Sequence, residues 1–404
     1  MIKGFDIKTI DDVEIKNKRV LVRADFDVAL NEDLSIADDT RIRQNIPTLK
    51  HLLKNGNRII CLAKMNRPKV RDPRHSLKIV VDALSKYITG YSFKLIDDFL
   101  TEDRATFENQ SENEVFVLEN MRYYPQDKTK DPQFAEKLAS LGDIFVMDGF
   151  AVAHRIETSV IGIPRYLPSY AGLLVKKEVE NISKAIRDPK KPVVSIIGGI
   201  KVSTKIAFIS RLLQISDFLL IGGGLANTFI AAQGYNIGKS VYEYEEVEKA
   251  RHLLYLGGSR GITQILPQDV VVGDPEDNHV KPRIVDIEHV EDAMHILDIG
   301  PKTCDAFGEA IGKAHTIIWN GPMGMFEKPA FSKGSDHIYH AIIHNKKATS
   351  LIGGGDTLAI LNGKHNTEKI THISTGGGAM LEFIEKGTLP GLEALKASQK
   401  KFSI

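Results

Sequence analysis

The chain has 404 residues, 42% of them hydrophobic and 26% charged, with a formal net charge of +1. Such a balance carries no electrostatic footprint for nucleic acid or a membrane surface, and two cysteines in unrelated contexts, Cys61 and Cys304, offer neither a disulfide framework nor a zinc site. No apolar run approaches the roughly 18 residues of a membrane span and the start has no signal-peptide core, so a soluble cytoplasmic protein of two domains is expected.

Taken in order, Arg19–Ala24 is a β-branched run that predicts a strand ending at Asp25-Phe26-Asp27. A helix is expected from about Asp39 to Lys54, stopped by Gly56. Arg58–Ala63 predicts the next strand, ending in Lys64-Met65-Asn66-Arg67-Pro68. A helix near 76–87 and a strand near Phe93 follow, and Val115–Leu118 then leads into Glu119-Asn120-Met121-Arg122. After a helix over 132–140, Ile144–Met147 leads into Asp148-Gly149-Phe150 and then His154-Arg155. Strands alternating with helices predict parallel sheets covered on both faces. The segment 170–187 has helical spacing and ends at Asp188-Pro189, which suits a rigid connecting helix better than a flexible linker. Further strands are expected near Val193, Phe218, Thr263, Val270, Ile317, Leu351 and His372.

Polar residues collect where the strands end. Asp25, Arg67, Arg122 and Arg155 fall beyond strand carboxyl ends, where open α/β sheets bind ligands, and Arg41 lies in the first turn of the helix after the first strand. One arginine there is an ordinary surface charge. Several at one structural position suit a small dianion carrying a phosphate and a carboxylate, because guanidinium forks match both groups.

The second half carries glycine clusters at strand-to-helix junctions: Gly198-Gly199, Gly222-Gly223-Gly224, Gly353-Gly354-Gly355 and Gly376-Gly377-Gly378. Packing alone can demand glycine at one junction. Four favour a polyphosphate ligand, which needs close backbone approach and unpaired N–H groups. The stretch Gly234 to Ser240 imitates a Walker A loop but has one residue too few between its glycines and no preceding strand, so it reads as a surface turn. No dinucleotide fingerprint, metalloprotease spacing or nucleophile elbow occurs.

Together these residues closely resemble the phosphoglycerate kinase family over nearly the whole chain. The resemblance lies in Gly198-Gly-Ile-Lys-Val-Ser-Thr-Lys205, Gly222-Gly-Gly224, Asp298-Ile-Gly-Pro-Lys302, Trp319-Asn-Gly-Pro-Met-Gly-Met-Phe-Glu327, Gly353-Gly-Gly-Asp-Thr357 and Ser374-Thr-Gly-Gly-Gly378. In the first half it lies in Arg19-Val-Leu-Val-Arg-Ala-Asp-Phe26, Asn66-Arg-Pro68, Leu118-Glu-Asn-Met-Arg122 and Ala153-His-Arg155.

The resemblance implies two doubly wound, Rossmann-like α/β domains with a central cleft and a hinge. A 3-phosphoglycerate-binding domain would span 1–169 and a connecting helix 170–187. A nucleotide-binding domain would span 188–386, and a tail, 387–404, would return to the first domain. It implies reversible phosphoryl transfer between 1,3-bisphosphoglycerate and ADP, with Mg²⁺, in a monomer acting on small molecules. By position, Asp25, Asp27, Arg41, Lys64, Arg67, Arg122 and Arg155 would hold the acid. Gly199, Lys201, Lys205, Gly223, Asn320, Glu327, Gly353, Gly354, Gly355, Asp356 and Thr357 would hold the nucleotide, with Asp356 serving the metal. Arg41, Lys201, Lys205 and the backbones of Gly354 and Gly377 would act at the transfer itself.

Two family ligands differ: an Asn is Asp27 here and a His is Lys64. An ion pair between the two, preserving local charge, is the expectation; a solvent-facing Lys64 is the alternative. A binding protein without catalysis, or a kinase for another phospho-acid, is the competing function.

Overall fold

The computed structural model describes residues 1–276 and 281–404. It contains two compact units, Met1–Glu180 with Thr388–Ile404, and Asn181–Gly387. The helix Leu173–Ile186 runs from the first unit into the second. Among the described residues, no helix is long and apolar enough to cross a membrane.

In the first unit six strands, β1 (Arg19–Arg23), β2 (Arg58–Leu62), β3 (Ser92–Ile96), β4 (Glu114–Leu118), β5 (Ile144–Met147) and β6 (Ser169–Ala171), form one parallel sheet in the order β3-β4-β2-β1-β5-β6. The central strands are apolar runs because both faces are covered. Val20, Val22, Ile59, Cys61, Val115, Val117 and Val146 share a core with Ile42, Leu49 and Leu52 of the helix Thr40–Leu53 and with Val80, Val81 and Leu84 of the helix Lys78–Tyr87. Edge strand β3 instead alternates between exposed and covered residues.

β1 pairs with β2 on one side and β5 on the other, so the chain leaves their carboxyl ends in opposite directions and opens a crevice there. Beside it, the buried Asp148 carboxylate accepts the Leu174 N–H at 2.9 Å at the start of the helix Leu173–Ile186. Burial pushes this carboxyl up to about 8, against the hydrogen bonds it accepts. Within the same unit the last helix, Pro390–Lys401, is tied down by Gly391 N–H donating to Ala153 O (2.8 Å), Ser398 Oγ to Leu167 O (2.8 Å) and Gln399 Nε2 to Lys8 O (3.0 Å).

The second unit has β7 (Val193–Ile197), β8 (Phe218–Ile221), β9 (Thr263–Ile265), β10 (Thr316–Asn320), β11 (Thr349–Gly353) and β12 (His372–Ser374), all parallel in the order β9-β8-β7-β10-β11-β12. That is the 3-2-1-4-5-6 order of a doubly wound dinucleotide-type sheet, with its switch point between β7 and β10. Both strands are buried at every residue.

The structure departs from the sequence-based expectation in two places. The strand expected near Val270 lies outside this sheet; Asp269–Gly273 pairs antiparallel with Arg283–Asp286 and His295–Ile299. Residues 169–171 form strand β6, so the helix expected over 170–187 begins only at Leu173. Gly234 to Ser240 is turn and irregular structure, as its chemistry indicated.

Candidate active site

In the first unit, Asp25 and Asp27 follow β1, Lys64 and Arg67 follow β2, Arg122 follows β4 and Arg155 follows β5, all at carboxyl ends. Arg41 reaches back from the first turn of the helix Thr40–Leu53, and its Nη1 donates to both Asp25 oxygens at 2.9 and 2.8 Å. Asp25 is 2% exposed, and burial raises its pKa against the opposing charge of Arg41. Asn45, one turn along the helix, fixes this pair: its Oδ1 accepts the Asp25 N–H, and its Nδ2 donates to the carbonyls of Asp25 and Arg41. Arg67 and Arg155 are exposed and Arg122 is half-buried.

The expected Lys64–Asp27 ion pair does not form. Lys64 is 3% exposed, which also removes the solvent-facing alternative, and its Nζ lies 2.5 Å from Asp127 Oδ2 and 2.5 Å from Glu157 Oε2. Asp27 Oδ1 accepts the Asn66 N–H at 2.7 Å instead. The reason is electrostatic. An ammonium this deeply buried needs close carboxylates, and two fully or nearly buried ones face it from other segments. Burial lowers the Lys64 pKa while Asp127 and Glu157 oppose that shift; burial is the largest influence on Glu157 and would raise it, but Lys64, Arg23 and Arg122 together outweigh it and leave Glu157 below its ordinary value. Arg23, fully buried, donates from Nη1 to Ala24 O (2.7 Å) and from Nε to Ser159 Oγ (3.3 Å), while Ser159 N–H donates to Asp127 Oδ1 (2.7 Å). Sequence reasoning missed Arg23, Asp127, Glu157 and Asn45. Only Arg23, a charge that ends the strand directly after Val20-Leu21-Val22, carried a local signal.

In the second unit a cavity of about 580 Å³ opens at the carboxyl ends of β7, β8 and β10. Gly199, Gly223, Glu327 and Asp356 line it, together with Met323 and Phe326 of the Trp319–Glu327 motif and with Ala226, Val241 and Ile296, which no sequence pattern singled out. Mixed apolar walls with polar groups at one end suit a nucleoside with its phosphates. Asp298 also borders the cavity; burial lifts its carboxyl to about 7 although it accepts the Gly334 and Ile299 N–H groups.

The phosphate end is built from close backbone approaches. Gly223, at φ +67°, lies where a Cβ would meet Pro322 O at 2.5 Å, and it opens the helix Gly223–Ala232. Gly354 sits at φ +111°, with a would-be Cβ 2.5 Å from Asn320 Nδ2; any side chain there is both strained and obstructed. Asn320 Nδ2 donates to Gly353 O (2.6 Å) and Gly321 N–H to Thr357 Oγ1 (2.7 Å), stitching the ends of β10 and β11 together. Gly377 precedes the helix Gly378–Lys386, and Gly353 and Gly355 flank Gly354.

Lys205 is half-buried; its Nζ donates to Gly198 O at 2.7 Å, and desolvation brings its pKa down to about 8 despite the attraction of Asp356. Lys201 lies exposed on the same loop. Among the described residues no group of three or more His, Cys, Asp or Glu side chains could hold a metal by itself. Asp356, an exposed carboxylate at the cavity, therefore fits a hard cation that arrives with phosphate oxygens, and does not fit a resident metal.

The model of one protein family, described as phosphoglycerate kinase, matches residues 10–387. This chain belongs to the phosphoglycerate kinase family. Among curated relatives it is 44% identical to the phosphoglycerate kinase of Dictyoglomus turgidum over 96% of this chain and 98% of that protein. It is 40% identical to a cytosolic phosphoglycerate kinase of Nicotiana tabacum, over 96% and 98% respectively. Among solved structures, phosphoglycerate kinase from Coxiella burnetii superposes with a TM-score of 0.87 at 36% identity, over 98% of this chain and 100% of that one. That from Pyrococcus horikoshii gives 0.81 at 29% identity over the same shares.

Proposed function

We propose that the protein is a phosphoglycerate kinase that transfers a phosphoryl group reversibly between 1,3-bisphosphoglycerate and ADP, giving 3-phosphoglycerate and ATP. The observation that carries this is the coexistence of two differently built half-sites: a basic basket at the strand ends of the first unit, and a glycine-walled cavity at the switch point of the second. The basket would take the phospho-acid on Arg41, Arg67, Arg122 and Arg155, with Asp25 aiming Arg41 and Asp27 facing the acid as an acceptor. The cavity would take the nucleotide, with its phosphates against Gly199, Gly223, the Gly353–Thr357 turn and Gly377, and Lys201, Lys205 and Glu327 around them.

The chemistry needs no general base, because the acceptor is a substrate carboxylate already ionised at neutral pH. A carboxylate oxygen attacks the γ-phosphorus in line as the bond to the ADP oxygen breaks. What the chain contributes is position, countercharge and dryness. Arg41 and the lysines offset the charge on the transferring group, and a closing hinge motion brings donor and acceptor together. Mg²⁺, held by Asp356 and nucleotide phosphates, would supply further charge neutralisation. A cytoplasmic monomer with no nucleic-acid partner completes the reading.

Purified protein supplied with MgATP and 3-phosphoglycerate, coupled to a dehydrogenase that reduces 1,3-bisphosphoglycerate, is expected to turn over at about 1–100 s⁻¹, the usual kinase range. ATP binding without turnover of this acid would move the reading to another phospho-acid or to a binding role.

A further inference from the structure

Three strand-end segments deliver arginines to the basket, and one buried ammonium touches or adjoins all three. Lys64 lies three residues before Arg67. Its partner Asp127 lies five residues after Arg122, and its other partner Glu157 lies two residues after Arg155. Glu157 also faces Arg122 directly, with Oε1 3.8 Å from Nη1. We propose that Lys64, Asp127 and Glu157 form a three-way clamp that sets the relative positions of Arg67, Arg122 and Arg155, making Lys64 a positioning residue rather than a ligand of the acid. The clamp rests on the assignment of this basket to the phospho-acid of a phosphoglycerate kinase.

Three physical points support it. Lys64 is already matched at 2.5 Å by two carboxylates, so its charge is spent inside the unit and its contribution to an anion outside is small. Asp127 is completely buried and is fixed in turn by the N–H and hydroxyl of Ser159, so the clamp has a rigid seat. With Arg23 included, two buried cations face two buried carboxylates, so the set is close to neutral within the unit. Removing one member of such a set leaves its partners buried without compensation, so the three side chains hold one another in place.

A double-mutant cycle tests the clamp. Lys64→Met, Glu157→Gln and the double variant are compared with wild type by calorimetric titration with 3-phosphoglycerate, by steady-state kinetics in both substrates and by thermal unfolding. The clamp predicts that each single change weakens binding of the acid about tenfold, in Kd and KM alike. It also predicts that the KM for MgATP stays within about twofold, and that the double variant is no worse than either single one. Lys64→Arg, which keeps the charge, should recover most of the loss. If Lys64 bound the acid directly, Glu157→Gln would release it from a competing carboxylate and leave binding unchanged or tighter; that result, or additive losses, overturns the inference. Should Lys64→Met fail to fold, Glu157→Gln alone still decides between the two. Wild type that binds no 3-phosphoglycerate overturns the functional reading itself, whereas wild type that binds with an indifferent Glu157→Gln overturns only the clamp.

Discussion

Replacing Arg41 by alanine is expected to lower kcat by about a hundredfold or more, the usual consequence of deleting one preorganised group that faces developing charge. The geometry makes this residue hard to replace. Its guanidinium is held on both oxygens of Asp25, and Asp25 and the helix backbone are in turn locked by Asn45. Ordering of the side chain has therefore been completed before substrate arrives. Alanine would also leave the Asp25 carboxylate buried without its partner, which raises its pKa further and adds a repulsive charge wherever it stays ionised. Asp25→Asn keeps the guanidinium and loses only the charge that aims it, so its loss should be smaller, about tenfold. Steady-state kinetics on both variants, with thermal unfolding to confirm the fold, read the two effects separately. Equal losses would show that Arg41 matters only as the counter-ion of Asp25.

The second large effect belongs to Lys205. Its side chain is half-buried, its ammonium donates to Gly198 O, and desolvation brings its pKa down to about 8. The protonated form is the one that can face nucleotide phosphates. Since kcat/KM reports the free enzyme, kcat/KM for MgATP should hold steady at neutral pH and fall as pH rises through about 8. Lys205→Met removes the charge while keeping the stem's packing. It should cost about a hundredfold in kcat/KM and abolish that alkaline limb. Persistence of the limb in Lys205→Met would assign it to another group.

The fold was legible wherever strands are covered on both faces. β1, β2, β4 and β5 read as apolar runs because strands covered by helices on both faces bury mostly apolar side chains, with the buried Arg23 at the end of β1 as the exception. β6 merges with the following helix in the sequence pattern, since Ser169-Tyr170-Ala171 has neither length nor β-branching to mark it. The antiparallel strands Arg283–Asp286 and His295–Ile299 are largely half-exposed and carry no clear period, and with them Ile296 and Leu297 in the wall of the nucleotide cavity escape recognition. At the site, the arginines were visible because they recur at strand ends. The partners of Lys64 were not, because Asp127 and Glu157 come from distant segments and no spacing rule joins them. The pairing inferred from proximity in the substrate half, Lys64 with Asp27, failed for that reason: burial chose the partners, and a buried ammonium took two buried carboxylates.

Direct transfer between two bound substrates, with no protein group bonded to phosphorus, is the central feature of the proposed mechanism. Exchange of labelled ADP into ATP, measured with and without 3-phosphoglycerate, tests it most directly. Direct transfer predicts exchange only when the acid is present, because the carboxylate is the sole acceptor. Exchange at the catalytic rate without the acid would mean that a side chain carries the phosphoryl group, and would contradict direct transfer.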